Sequence, residues 1–405
     1  MLPAGTSAAG LSIGRLIRLM FALWLAGVAM RMTILAVPPV IPALHDELHM
    51  SETQVGLLVG LPLALFAIAS VPGSLLIARL GARLIAILAM TIGALAGAAR
   101  GAAVDVWTLY AAAIATGAGI SIMQPAMPTL VRQWLPAHIA FGTIAYSSGM
   151  PMGAMFPTVL TIPLVLPLVG GNWRLDLVLW AVPALLIVPV FVLLSPRTHE
   201  DATEKSLAAR WWPNWRNPLI WLLGLAFGSN NSAYFSTNAF LGDFLASTGQ
   251  PHLLGAALAW LNGAQVVTPI ILLVMAGRME RRIWPFVIFG PLLLASFLGL
   301  MFVPSTFWIL VCAAMVGFTT ATTLVATLAL PPLLVAPGDL PSTAAGMFTV
   351  SYTTAIIVPT ISGALWDATG RPWMAFVPLC VCAVMLTVFG IVVSRWPAAR
   401  EARLG

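Results

Sequence analysis

Twelve apolar stretches, each near the length a helix needs to cross a bilayer, succeed one another along these 405 residues. A hydrocarbon core of about 30 Å takes about 20 apolar residues in a helix. The stretches run over 17 to 43, 54 to 77, 84 to 103, 106 to 131, 140 to 168 and 174 to 195, then over 218 to 242, 252 to 276, 284 to 303, 306 to 335, 341 to 364 and 373 to 394. Lipid offers backbone N–H and C=O groups no partner, so such segments must close their hydrogen bonds internally as helices. The expected fold class is all-α integral membrane. Only 8% of the residues are charged and 60% are hydrophobic, whereas soluble chains carry about 25% charge. That excludes a cytosolic enzyme, a disordered regulator and a disulfide-stapled secreted domain. Cys312, Cys380 and Cys382 lie within apolar runs and read as small buried hydrophobes. The apolar run after Arg18 exceeds the roughly 7 to 15 residues of a signal-peptide core, so it is expected to stay as the first span.

The longest connection, 196 to 217, carries Arg197, Glu200, Asp201, Glu204, Lys205, Arg210 and Arg216. It is read as a cytoplasmic linker between an N-terminal six-helix bundle (1 to 195) and a C-terminal six-helix bundle (218 to 405). With the N-terminus inside, fifteen Lys and Arg fall on the cytoplasmic side and three, Arg100, Arg174 and Arg371, on the other. This positive-inside bias predicts a multi-pass membrane protein with both termini cytoplasmic, and a bacterial inner membrane is its expected location. It also explains the net charge of +6 as a topology signal. Basic residues scattered over short loops form no patch for nucleic acid.

The two halves echo each other. Arg79-Leu80-Gly81-Ala82-Arg83 after span two has its counterpart in Arg278-Met279-Glu280-Arg281-Arg282 after span eight. Spans four and ten both carry glycine (Gly117, Gly119; Gly317) and then proline (Pro125, Pro128; Pro331, Pro332). Spans five and eleven place small residues ahead of Tyr146 and Tyr352. Repeats of this kind build transporters whose substrate site lies near the bilayer midplane between rocking bundles. Over nearly its whole length the chain resembles the major facilitator superfamily, which implies twelve helices in two pseudo-symmetric six-helix bundles. The loop with Arg79, Gly81 and Arg83 looks like that superfamily's gating loop, with Ala78 where an aspartate is usual. More narrowly, Met30 to Thr33, Gln124 to Pro128, Thr143 to Ser147, and Asn230 with Tyr234 resemble the cyanate permease and 2-nitroimidazole transporter family. Thr349 stands where that family's pattern has glutamine.

Arg31 is the foremost candidate for function. It lies about fourteen residues into the 27-residue first span, roughly 21 Å along the helix and too deep to snorkel. A central arginine costs on the order of 3 kcal/mol to insert, and all thirteen carboxylates fall in loops or at span ends. One reading is a cation in a polar cavity awaiting an anionic or electron-rich solute, for which a planar donor fork is suited. The other is an arginine bonded to helix carbonyls at a kink made by Pro38 and Pro39. In the polar seventh span, Asn230, Tyr234 and Asn238 share a face by i, i+4 spacing, either lining that cavity or bridging helices. Gln124, Tyr146, Asn262, Gln265 and Tyr352 stand under the same two readings, while Thr319 to Thr323 reads as helix packing.

His45 and His49 stand four apart, a spacing that can hold zinc, but the string lacks the His-Glu order of a zinc protease helix, and no metal or cofactor is expected. Ser51 with Gln54 has the form of a capping box for span two. Trp211, Trp212 and Trp215 read as an interfacial anchor. No phosphate-binding loop, nucleophile triad or paired catalytic carboxylates are present, so neither an enzyme nor an ATP-driven pump is expected. Moving a monoanion inward against 100 mV costs about 2.3 kcal/mol, roughly a fiftyfold gradient. The expectation is a secondary transporter, acting as a monomer in the lipid bilayer, that moves a small anion or anion-like solute such as cyanate, nitrate or nitrite, a nitroimidazole or a small carboxylate. The alternative is an exporter of drug-like hydrophobic compounds.

Overall fold

The computed structural model describes residues 12–68, 76–77, 79–136, 138–196, 213–279, 283–303, 305–328, 330–335 and 340–396. Among them no strand occurs, and each apolar stretch carries a long helix. We label these α1 (Ile13–Leu35), then a short α2 (Ile41–Leu48), α3 (Glu52–Ile68), α4 (Ala82–Ala99), α5 (Val106–Trp134), α6 (Ile139–Leu160) and α7 (Trp173–Leu194). The second half adds α8 (Pro218–Ser247), α9 (Leu254–Met279), α10 (Trp284–Phe302), α11 (Thr306–Leu328), α12 (Leu340–Thr369) and α13 (Val377–Ser394). Nine segments of the described residues are long and apolar enough to cross a membrane. Of the others, α3 supplies a shorter apolar helix, Glu52–Phe66, and the middle of α8 is polar from Ser229 to Asn238.

Helix boundaries follow local chemistry. The capping box of α3 forms as the sequence suggests: the Ser51 N–H donates to Gln54 Oε1 at 2.9 Å and the Gln54 N–H to Ser51 Oγ at 3.3 Å. Asp105 caps α5 by accepting the Thr108 N–H at 2.7 Å, and the bonds from Thr108 hold its carboxyl below the usual range. Asn172 and Asn217 cap α7 and α8. The first span is less continuous than its hydropathy implies. α1 stops at Leu35, a 3-10 turn covers Pro38–Val40, and α2 follows. Pro38 and Pro39 lack the N–H that would carry the helical ladder past this point. In span ten the helix is described as far as Leu328, and a short α-helix covers Pro331–Leu334.

The helices pack α1 on α6, α3 on α12, α4 on α5, α8 on α12 and α9 on α11. At the α1/α6 crossing the backbones touch: a Cβ on Gly27 would lie 2.1 Å from the Tyr146 carbonyl oxygen, and one on Gly149 2.2 Å from that of Trp24. Small residues allow such approach where no hydrophobic effect drives helices together. Arg174 pairs with Glu47 and lies 4.3 Å over the Trp173 ring.

Alternation of helix direction gives the bundle one end that carries the termini and a far end. At the far end, helices of the first half meet helices of the second. A Cβ on Gly363 of α12 would fall 2.1 Å from the Glu52 carbonyl oxygen of α3, and one on Gly242 of α8 would fall 2.9 Å from Pro42 of α2. Residues 197–212, with Lys205, Arg210, Trp211 and Trp212, lie outside the described residues, as do Ala78, Glu280, Arg281 and Arg282.

Candidate functional site

The most polar helix is also the most enclosed. From Ala226 to Leu241 every residue of α8 is buried, because α8 is packed by α3, α11, α12 and α13 together. Buried amides and hydroxyls there need partners, and they find them across helices. Asn230 Oδ1 accepts from the Thr323 hydroxyl of α11 at 2.7 Å. Asn231 Nδ2 donates to Ser351 Oγ of α12 at 3.0 Å. The Tyr234 hydroxyl donates to Asn262 Oδ1 of α9 at 2.6 Å, and Asn262 Nδ2 donates to Asn238 Oδ1 at 3.0 Å. Such bonds between membrane helices contribute about 0.6 kcal/mol each. The hydroxyls of Thr319 and Thr320 return to carbonyls one turn back, as in helix packing.

Beside this wall lies a cavity of about 330 Å³ between α1, α6, α8, α9 and α11, with Arg31 at its inner limit. Its lining is apolar apart from Arg31, Ser147, Ser148, Tyr234, Gln265 and Thr268. The lining residues of α11, Ala321 to Leu328, belong to the half of that helix nearer the termini, and those of α6, Ile144 to Ala154, run from that half to just past its middle. The cavity therefore extends from Arg31 toward the end that carries the termini, while the far end is closed by the contacts described above.

Arg31 sits one turn before the break after Leu35, half-buried. Its guanidinium lies 5.1 Å from the centroid of the Phe235 ring, a cation–π contact of about 0.5 to 2 kcal/mol. It is near enough to Tyr234 and Tyr352 to act on both phenols electrostatically. Among the described residues no carboxylate pairs with it and no carbonyl takes its hydrogen bonds. The donor fork is thus available to the cavity. Gln265 lines the same cavity beside Tyr234, whose hydroxyl its side chain faces.

The other sequence candidates divide. Gln124 and Tyr352 meet each other: Gln124 Nε2 donates to the Tyr352 hydroxyl at 3.3 Å, linking α5 to α12 across the halves, and Tyr352 stacks on Phe66 at 4.9 Å. Asn230 turns to Thr323, away from the cavity lining. Tyr146 is half-buried against the core of the first half and is not among the lining residues. Of the expected gating loop, Arg79 is helical and exposed, and Gly81 holds φ 85°, a conformation that favours glycine. Arg83 donates to Ser195 Oγ at 2.8 Å and to the Val192 carbonyl at 3.1 Å, tying α4 to the end of α7.

Two features are not legible in the sequence. Phe235 reads as one more core aromatic until its ring is found over Arg31. Arg100, an outside charge by its place in the chain, is 2% exposed, and its Nε and Nη2 meet no hydrogen-bond partner. The carboxylates Glu52, Asp176 and Asp243, placed at span ends by the sequence, are likewise withdrawn from solvent.

Comparison with known proteins agrees with this architecture. The chain is 25% identical over 382 residues to the 2-nitroimidazole transporter of Escherichia coli (strain K12), covering 90% of this chain and 92% of that protein. It is 26% identical over 388 residues to the cyanate transport protein CynX of the same organism, covering 94% and 98%. Among solved structures, a D-xylose–proton symporter superposes with a TM-score of 0.74 at 12% identity, covering 96% of this chain and 99% of that one. A bacterial homolog of the human lysosomal transporter Spinster superposes with a TM-score of 0.70 at 17% identity, covering 97% and 99%. The family pattern of the Major Facilitator Superfamily matches residues 19–256, more than half of the chain. This multi-pass membrane protein is a transporter, not an enzyme, and belongs to the major facilitator superfamily.

Proposed function

We propose that the chain carries a small anion or anion-like polar solute across the bacterial inner membrane by alternating access around Arg31. The observation that carries this reading is a half-buried guanidinium at the inner limit of a cavity with no ionic or hydrogen-bonding partner among the described residues. A cation left so in a low-dielectric setting is stabilised by whatever negative or electron-rich group enters. The apolar remainder of the lining suits a compact solute with one polar end. Cyanate, nitrite or nitrate, a nitroimidazole and a small carboxylate all meet that description, and the relatives named for 2-nitroimidazole and cyanate transport support the choice. Tyr234 and Gln265 are the companion groups at the site, with Gln124 and Tyr352 above it as a contact between the halves. Tyr146 and Asn230 serve as packing around the site.

The moving bodies in this reading are residues 1 to 195 and 218 to 405, acting as a monomer, with the loop of Arg79, Gly81 and Arg83 as gating loop. The arginine count puts both termini in the cytoplasm, so the cavity faces inward and the far end is the closed outer gate. Facilitated uptake, exchange, or export down the solute's gradient all fit a fixed positive site.

The test is flux of labelled cyanate, and separately of 2-nitroimidazole, into proteoliposomes. Saturable flux by the wild type and its loss in both Arg31→Ala and Arg31→Gln is expected. Equal flux in all three proteins rejects the assignment. Binding of an apolar compound that persists without Arg31, with no anion flux in the wild type, gives the exporter reading instead.

A further inference from the structure

At the far end a second group of ionisable side chains stands apart from the cavity. His45 lies in the last turn of α2, Glu52 opens α3, and Asp243 sits near the end of α8. Between α2 and α3 the chain reverses through His49, whose φ of 50° is left-handed, and this brings Glu52 back against His45. The Nδ1 of His45 stands 4.0 Å from Glu52 Oε1 and 3.8 Å from Asp243 Oδ2. One ligand atom from each of the three residues lies within 4.8 Å of the other two.

These atoms are buried and unused. His45 Nδ1, Glu52 Oε2 and Asp243 Oδ2 are withdrawn from solvent without a hydrogen-bond partner. The Glu52 side chain is 8% exposed and that of Asp243 11%. Asp46 and Asp367 add negative charge around them, and no lysine or arginine of the described residues acts on either buried carboxylate. A buried carboxylate is either protonated or paired with a cation, and three ligand atoms converging at this point give a cation a place to sit.

The spacing narrows the choice. Separations of 3.8 and 4.0 Å are too long for hydrogen bonds, which close to about 2.7 to 3.2 Å. Two ligands bound to one ion at about 2.1 Å stand about 3.4 Å apart in a tetrahedral site and up to about 4.2 Å apart when opposed. An imidazole nitrogen with two carboxylates suits a borderline metal rather than calcium or magnesium, which take oxygen. His45 is 32% exposed, which leaves a way in.

We infer that His45, Glu52 and Asp243 form a binding site for a divalent transition-metal ion of the zinc class, joining the two halves of the chain at the far end. Two ligands belong to the first half and the third to the second. The full set exists only while the far end is closed, and a bound ion therefore favours that state by its differential affinity. His49 is not a ligand. The inference is independent of the reading of Arg31, because its test uses no transported solute.

The experiment takes full-length protein in detergent, stripped with a chelator, and titrates zinc chloride alone against a competing fluorescent chelator near neutral pH. One saturable ion per chain is expected. Binding should weaken by at least about tenfold in His45→Ala, Glu52→Gln and Asp243→Asn and stay unchanged in His49→Ala. The last two ligand variants keep side-chain shape, and the wild-type titration is decisive in itself. In proteoliposomes, zinc should slow the labelling of a cysteine placed behind the far-end contacts in the wild type but not in Asp243→Asn. Absence of saturable zinc binding, wild-type affinity in His45→Ala and Asp243→Asn, an equal loss in His49→Ala, or calcium binding as tight as zinc would each overturn the assignment.

Discussion

Asp367, from the second half of the chain, caps the first turn of α3 in the first half: its carboxylate accepts the Thr53 N–H at 2.9 Å, the Thr53 hydroxyl and the Glu52 N–H at 3.0 Å. With Ser51 and Gln54 donating into their own capping box, the opening N–H groups of α3 are satisfied. The cap exists only while α12 lies over α3. Asp367→Ala removes it from the closed far end alone and should shift the balance toward opening by about 1 to 2 kcal/mol, roughly five- to thirtyfold. Distances between spin labels at the far ends of α3 and α12 read this directly. An unchanged distance distribution would show that the helix contact, not the cap, holds the gate.

Tyr234 is bound on the side away from the cavity by Asn262, which in turn holds Asn238. Tyr234→Phe keeps the ring beside Arg31 and leaves Asn262 Oδ1 unpaired. It should cost about 1 kcal/mol in stability and weaken solute binding less than Arg31→Ala does. A double-mutant cycle with Asn262→Leu separates the two roles: if the hydroxyl serves only the network, the coupling energy accounts for the loss.

Much of the fold is legible because lipid permits so little. The spans, the Ser51 and Gln54 box and the depth of Arg31 follow from run length and local chemistry. Hydropathy gives position along a helix but not which face meets which neighbour. That is why Phe235 over Arg31, and the bond from Gln124 to Tyr352, emerge only in three dimensions. The same blindness misplaces the charges at span ends. Arg100, Glu52 and Asp243 read as solvent-facing in the sequence, yet Pro38 of the 3-10 turn lies beside Arg100, and α2 brings His45 against Glu52 and Asp243. Pro38 and Pro39 foreshadow the break in α1, but not its consequence for distant residues.

The crossing of α1 and α6 tolerates no side chain at its centre. A Cβ at Gly149 would meet the Trp24 carbonyl at 2.2 Å and one at Gly153 the Val28 carbonyl at 2.1 Å; these are backbone atoms that cannot turn aside. Gly149→Ala should destabilise the protein by about 1 to 3 kcal/mol, and Gly149→Val by more. A Cβ at Gly263 of α9 would meet nothing within 4 Å, so Gly263→Ala should be neutral or stabilising by up to about 1 kcal/mol. Thermal unfolding in one detergent compares the pair, and equal effects would contradict backbone contact as the cause.

Arg100 poses the opposite case, a charge buried without evident compensation. Its Nε and Nη2 lack partners, and a cavity of about 20 Å³ beside it, lined also by Pro38, Phe235 and Asn238, has room for about one water. A single water cannot repay the desolvation of a guanidinium, and apolar replacements of buried charges are often neutral or stabilising by about 1 to 4 kcal/mol. Arg100→Met, which keeps the length of the stem, should therefore leave Tm unchanged or raise it. The measurement is thermal unfolding in chloride and again in gluconate, an anion too large for the cavity. If Arg100→Met instead lowers Tm in chloride but not in gluconate, a small anion occupies the cavity and offsets the charge.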